Sequence, residues 1–123
     1  MRKSRGEYED EFTKAIIRFE KEYLGRGPLE AQTYFVSDMV LVRLRGILTP
    51  AEARLAETRE GQTLVKETRR QLIETSRGQI EEIVRQVLGC NVISFHSDMS
   101  TRSGERIIIL TVDRNLEKSF AKP

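Results

Sequence analysis

The run Arg-Ile-Ile-Ile-Leu-Thr-Val at residues 106–112 constrains the fold of this chain more than any other feature. β-Branched and leucine side chains fill both faces of the strand that this run predicts. Such a strand belongs inside a sheet, or has its second face covered by a partner. The rest of the chain should therefore supply neighbouring strands.

Two predicted hairpins supply these strands. The first joins residues 32–37 to residues 39–45 through a tight turn. The second joins residues 91–97 to residues 105–113 through the loop at 100–104.

Helical periodicity precedes each hairpin. Apolar and aromatic side chains at spacings of three and four predict a first helix from about Tyr8 to a stop at Gly25. The same spacing predicts a long helix over residues 61–88, which Gly89 ends.

A capping box precedes the long helix and is the sharpest local signal in the chain. Thr49 suits the N-cap, Pro50 the first helical position and Glu52 the third. Together they predict a short helix over residues 50–57.

The predicted order of elements, α-β-β-α-α-β-β, is typical of an α+β fold. We expect a two-layer sandwich, with a four-stranded, mainly antiparallel sheet and the helices on one of its faces. The length suits a single domain over residues 1–123, with flexible ends at residues 1–6 and 114–123.

Composition excludes several functional classes. Cys90 and His96 are the only cysteine and histidine, whereas a structural zinc site takes about four such ligands, so we predict no metal and no cofactor. A lone cysteine forms no intrachain disulfide and fits a reducing compartment.

The 21 basic and 19 acidic residues give a net charge of +2, which argues against a dedicated DNA-binding protein. No apolar run approaches the ~20 residues of a transmembrane helix, so we expect a cytoplasmic protein that contacts a membrane at most peripherally.

Hydroxyl, amide and charged groups cluster around the loop of the second hairpin. The cluster consists of His96, Asp98, Ser100, Thr101, Arg102, Gly104 and Arg106. Hydroxyls and amides can hydrogen-bond an anion, and the arginines add positive charge. We predict that these residues bind an anion or an acidic group of a partner; a plain polar hairpin turn is the alternative.

Arg43 and Arg45 form a second candidate site. They lie on the strand face opposite Val40, Val42 and Leu44, which we expect to face the core. Such a basic patch suits nucleic acid or acidic lipid headgroups. Charge that protects an edge strand is the alternative interpretation.

Three stretches of the sequence resemble the MpsC-like family of bacterial domains. They are Phe-Glu-Lys-Glu-Tyr-Leu-Gly-Arg-Gly-Pro at 19–28, Asp-Met-Val-Leu-Val-Arg-Leu-Arg-Gly-Ile-Leu-Thr-Pro-Ala-Glu at 38–52, and His-Ser-Asp-Met-Ser-Thr-Arg-Ser-Gly-Glu-Arg at 96–106. The resemblance spans roughly residues 7–113. The family has no assigned activity and is named for a sodium-translocating, membrane-potential-generating system. The resemblance therefore implies a membrane-associated context and no catalytic residues.

The sequence favours a small binding or accessory protein over an enzyme, one that docks on an ion-translocating membrane complex as the resemblance implies. The strand at 107–112, apolar on both faces, also predicts a homodimer through the open sheet face. Two alternatives remain. One is a nucleic-acid-binding module that uses the open sheet face and the arginines. The other is a small-ligand enzyme in which Asp98 orients His96 as a general base.

Overall fold

The computed structural model describes residues 3–120 and confirms the α+β fold. The helices are α1 (Arg5–Tyr23), α2 (Pro50–Leu55), α3 (Arg59–Thr75), α4 (Arg77–Leu88) and α5 (Leu116–Ser119). The strands are β1 (Glu30–Val36), β2 (Met39–Arg45), β3 (Val92–Ser100) and β4 (Glu105–Val112).

The strands form one antiparallel sheet in the order β1-β2-β4-β3. Each predicted hairpin is present, and the two hairpins join through their inner strands β2 and β4. The strand that is apolar on both faces, β4, is thus an inner strand, as the sequence predicts.

One face of the sheet packs against the helices and forms the core. Val40, Val42 and Leu44 on β2 are fully buried there, which confirms their predicted orientation. Ile108 and Leu110 on β4 lie beside them in the antiparallel register. The helices contribute buried side chains that include Phe12, Ile16, Phe19, Val65, Ile73, Ile80, Val84 and Leu88.

The largest differences from the predicted helices are a division of the long helix and an earlier start of the first one. The long helix is divided at Ser76, whose φ of −98° and ψ of 8° leave helical geometry. The Ser76 amide donates to the Leu72 carbonyl, while the Ser76 carbonyl accepts from the Gln79 amide, so this residue ends α3 and begins α4. The first helix begins earlier than predicted because Ser4 and Glu7 form a reciprocal capping box.

The C-terminal segment is structured over more of its length than predicted. The side chain of Leu116, at the start of α5, is fully buried, and the Phe120 ring stacks on Tyr8 with 4.1 Å between centroids. The Leu116 amide also donates to the Ser37 carbonyl at 2.8 Å, which joins α5 to the β1–β2 turn. Of the predicted flexible ends, residues 1–2 and 121–123 lie outside the described residues.

Helix α1 protects the outer edge of the sheet at β1. The Phe35 amide donates to Glu9 Oε2 at 2.7 Å, and the hydroxyls of Thr13 and Thr33 are hydrogen-bonded at 2.7 Å. The Glu9 carboxylate thus accepts the hydrogen bond of a backbone N–H that could otherwise pair with another strand.

The capping box of α2 is present as predicted, and it gives a stability test. The Glu52 amide donates to Thr49 Oγ1 at 3.1 Å, and the Thr49 amide donates to Glu52 Oε1 at 2.9 Å. We expect Thr49→Ala to lower the free energy of unfolding by about 1 kcal/mol, because one helix-end amide loses its acceptor. Urea unfolding measures the change. Thr63→Ala is the control, because the Thr63 hydroxyl donates to the Arg59 carbonyl of its own helix and caps no helix end. Equal losses in both variants would contradict a capping role.

Candidate functional site

The predicted loop cluster is divided between the two faces of the sheet. His96 lies opposite Ile109 on the face away from the helices. Asp98 lies opposite Ile107 on the edge strand, and its carboxylate reaches Lys66 on α3 at 3.3 Å. Arg106 lies on the helix face and is buried. The structure therefore does not bring the residues of this cluster together at one point.

The turn itself uses several of the predicted donors and acceptors. Ser100 Oγ accepts from the Ser103 amide at 3.2 Å, and the Gly104 amide donates to the Ser100 carbonyl at 2.9 Å. Gly104 has a φ of +72°, a left-handed conformation that favours glycine. Arg102 is exposed. An anion-binding role for Ser100, Thr101 and Arg102 remains a prediction.

Asp98 contacts neighbours other than His96. Its Oδ1 accepts from the Met99 amide at 2.8 Å and lies 3.3 Å from Lys66 Nζ. These contacts, the Met99 amide foremost, hold the pKa of Asp98 below its ordinary value. Among the described residues, no hydrogen bond joins His96 to Asp98, so the geometry of an oriented general base is not formed.

The two arginines of the predicted basic patch lie beside carboxylates. Arg43 Nε is 2.6 Å from Glu105 Oε2, and Arg45 Nη1 is 3.8 Å from Glu30 Oε2. Charges of both signs therefore lie on this part of the sheet.

The sheet face away from the helices has an apolar centre. Leu41, Ile107 and Ile109 lie there half-buried, and Tyr34 and Val36 extend the apolar surface with exposures of 40% and 42%. The arginine–glutamate pairs and His96 border this centre. In the part of the chain that the structure describes, no helix covers this surface, which we call the open face.

A buried group of charged residues lies on the opposite, helix-facing side. Arg69 on α3 is 5% exposed and pairs with both oxygens of Glu52, at 2.8 and 2.6 Å. Its Nη2 also donates to the Ile47 carbonyl at 2.9 Å. Burial raises the pKa of Glu52, but the Arg69 hydrogen bonds and the Thr49 amide outweigh burial, so the pKa lies below its ordinary value.

Glu20 and Arg106 are more deeply buried, each with an exposure of 2%. Within residues 3–120, both carboxylate oxygens of Glu20 lack a hydrogen-bond partner, as do Nε and Nη2 of Arg106. Burial raises the pKa of Glu20, although the positive charges of Arg106 and Arg69 act in the opposite direction. A buried charge without a hydrogen bond is costly, so this group is the least satisfied part of the interior.

The sequence does not single out Glu20, and it predicts a solvated helix face for Arg69 and Arg70 with Glu67 and Glu74. The helical period nevertheless marks both Glu20 and Arg69 as buried. Glu20 follows the core residue Ile16 by four positions, and Arg69 lies four positions from both Val65 and Ile73. A charged residue in phase with an apolar stripe is the signal that identifies a buried charge.

The burial of Glu20 makes a pH-dependent contribution to stability. Because its folded pKa is raised above the unfolded value, Glu20 stabilises the fold at low pH, and this contribution is lost as the pH rises through the folded pKa. We expect the free energy of unfolding of the wild type to fall, relative to that of Glu20→Gln, as the pH rises above the ordinary pKa of a glutamate. Urea titrations at several pH values measure the difference. Glu22→Gln, an exposed change on the same helix, should track the wild type; a constant difference between wild type and Glu20→Gln would refute the assignment.

No group of three or more histidine, cysteine, aspartate or glutamate residues between positions 3 and 120 is arranged to hold a metal ion. No helix in that range combines the length and hydropathy needed to cross a bilayer.

Comparison with known proteins extends the resemblance seen in the sequence. A family model described as "Na+-translocating membrane potential-generating system (MpsC)" matches residues 4–114. The uncharacterized protein YbcI of Bacillus subtilis (strain 168) is 41% identical over 122 residues, which cover 99% of this chain and 98% of that protein. The uncharacterized protein YrhF of the same organism is 28% identical over 109 residues, or 88% of this chain and 89% of that protein. No solved structure matches the chain significantly.

Proposed function

Because the chain belongs to the MpsC family, described as a Na+-translocating membrane potential-generating system, we propose that it is an accessory binding protein of an ion-translocating membrane assembly. The family description supports the context. The binding mode is inferred from the open face.

The apolar centre of the open face is the observation that carries the proposal. Leu41, Ile107 and Ile109 lie on adjacent inner strands and form one continuous surface. An apolar centre with a polar, charged border is the usual anatomy of a protein–protein interface. Monomeric proteins rarely expose a large continuous apolar surface to solvent.

We propose a second copy of the chain as the occupant of this face. A two-fold interface requires a self-complementary surface, and the open face offers arginine and glutamate side by side at its border, as in the Arg43–Glu105 pair. The Glu9 carboxylate occupies the Phe35 amide at the β1 edge, which favours association through the face over association through that edge. A stable dimer would bury about 800 Å² per subunit.

Nucleic acid is a poorer candidate for the same surface. Phosphate binding requires positive charge that is free to displace counterions. Arg43 and Arg45 both lie within 4.0 Å of a Glu105 carboxylate oxygen, which offsets their charge.

Sedimentation of the purified chain at micromolar concentrations tests the dimer. We expect a mass about twice the 14.2 kDa of one chain. Ile109→Glu places a charge in the centre of the open face and should weaken association by more than about tenfold. Leu64→Glu makes the same kind of change at an exposed position of α3, with 55% exposure, and should leave the mass unchanged. A wild-type monomer, or equal masses in the two variants, would refute the use of this face.

The membrane context has its own test. We expect the wild-type chain to co-purify with ion-translocating subunits when native membranes are solubilised in mild detergent, with mass spectrometry identifying the partners. Recovery only in the membrane-free fraction would contradict the proposed context, whatever the oligomeric state.

A further inference from the structure

The imidazole of His96 stands beside the apolar centre of the open face. His96 lies opposite Ile109 in the pairing of β3 with β4, and its side chain is exposed. Within residues 3–120, neither imidazole nitrogen has a hydrogen-bond or ion-pair partner. A second copy of the chain seated on this face would therefore cover an imidazole that has no counter-ion.

The neighbours of this imidazole on the open face do not supply a counter-ion. At the start of β4, Glu105 Oε2 lies 2.6 Å from Arg43 Nε, so this carboxylate already has a partner. The side chains closer to the imidazole on β3 and β4 are uncharged: Ser94, Ile107, Ile109 and Thr111.

The charged groups at the edge of β3 and behind it have partners of their own. Asp98 Oδ1 lies 3.3 Å from Lys66 Nζ on α3. Arg77 of α4 pairs with Glu81 at 3.0 Å and lies over the ring of Phe95, which packs against the core on the helix side of the sheet. A proton on the imidazole would therefore add a charge that none of these groups is placed to neutralise.

Covering an imidazole disfavours its charged form. An imidazole takes up a proton at about pH 6.5 in water, and transfer from water to apolar surroundings opposes the charge. The separate chain leaves the imidazole in water, whereas a two-fold dimer would hold two charged imidazoles beside apolar surfaces. Protonation therefore favours the separate chains.

Few other side chains of this protein change charge between about pH 5.5 and about pH 8. Carboxylates are ordinarily ionised above about pH 5, and lysine and arginine stay charged below about pH 9. His96 is the only histidine. Glu20 is an exception, because burial on the helix side raises its pKa, but its protonation at low pH stabilises the fold. Dissociation at low pH would therefore not arise from Glu20.

We propose that His96 makes self-association through the open face depend on pH, so that the dimer forms at about pH 8 and dissociates towards about pH 5.5 as the imidazole gains a proton. This inference rests on the proposed function, because it requires a second copy on the open face. It identifies the side chain that controls that association.

Sedimentation equilibrium of the full chain at about pH 8 and about pH 5.5, at one ionic strength, tests the inference. We expect the dissociation constant of the wild type to be at least about tenfold higher at the lower pH, because each of the two imidazoles in the dimer opposes association once it is charged. Circular dichroism at both pH values verifies that the chain stays folded.

Two substitutions separate the charge of the imidazole from its size. His96→Gln is neutral at both pH values, and we expect it to have nearly the same dissociation constant at both. His96→Arg is charged at both, and it should weaken association by about tenfold even at the higher pH. Gln71→Arg adds the same charge at an exposed position of α3 and should keep the pH dependence of the wild type.

The outcomes distinguish this inference from the dimer itself. A wild-type dimer with equal dissociation constants at the two pH values, or a pH dependence that persists in His96→Gln, would overturn the role of His96 and leave the dimer through the open face intact. A wild-type chain that is monomeric at about pH 8 would instead overturn the proposed dimer, and this inference with it.

Discussion

Replacing Arg69 by methionine is expected to lower the free energy of unfolding by about 3 kcal/mol. The substitution leaves the Glu52 carboxylate without its main counter-ion and the Ile47 carbonyl without the Nη2 donor, now 2.9 Å away. Losing one member of a largely buried pair costs more than losing an exposed one, because the remaining charge stays poorly solvated. Urea or thermal unfolding of the purified variant measures the loss.

A double-mutant cycle separates the ion pair from simple packing. Glu52→Gln keeps an oxygen that can accept from the Thr49 amide, so it removes the charge while the helix cap is retained. Combined with Arg69→Met, it removes both charges, and we expect the double variant to be more stable than the sum of the two single changes predicts. Strict additivity would mean that the two side chains stabilise the fold independently.

The two helical glycines at positions 61 and 78 are expected to respond to alanine with opposite signs. A Cβ at Gly61 would lie 1.6 Å from the carbonyl oxygen of Leu55, which is backbone and cannot rotate away. At Gly78 nothing lies within 4 Å of the added atom. We expect Gly61→Ala to destabilise by about 2–3 kcal/mol through this overlap, and Gly78→Ala to stabilise by about 0.5–1 kcal/mol through helix propensity.

Thermal unfolding of both variants and of the wild type measures these two changes in stability. Helix propensity alone predicts that both substitutions stabilise. Two increases in melting temperature would therefore show that α2 can move away from α3 at little cost. The expected loss at Gly61 would show instead that the close approach of α2 to α3 is fixed.

The sequence predicts the strands of this fold well because each carries a complete local signal. The alternation of Val40, Val42 and Leu44 predicts the buried face of β2, and the run at 106–112 predicts an inner strand. The order of the strands cannot be predicted in the same way. It depends on which strands of the two hairpins pair with each other, and no local pattern specifies the pairing of β2 with β4.

The candidate sites are harder to predict because a charged residue in a sequence can be either exposed to solvent or buried in an ion pair. The pattern around Arg69 and Arg70 indicates a solvated helix face, yet Arg69 is buried and Arg70 is exposed. Neighbours in sequence on a helix point about 100° apart, so adjacent arginines can have opposite environments. Arg106 belongs to the predicted loop cluster, but the period-two alternation of β4 places its side chain on the helix side of the sheet, where it is buried.

The position of β4 in the sheet affects the order in which the chain can fold during synthesis. β4 pairs with β2, which ends about sixty residues earlier, and with β3, so the sheet remains two separate parts until Glu105–Val112 has been made. Until then β2 is paired only with β1, and its other edge has no strand beside it. Contacts of such large sequence separation carry a high entropic cost for closing the loop between them, and they make folding slow. We therefore expect the emerging N-terminal half, with one edge of β2 unpaired, to be the form of this protein that aggregates most readily.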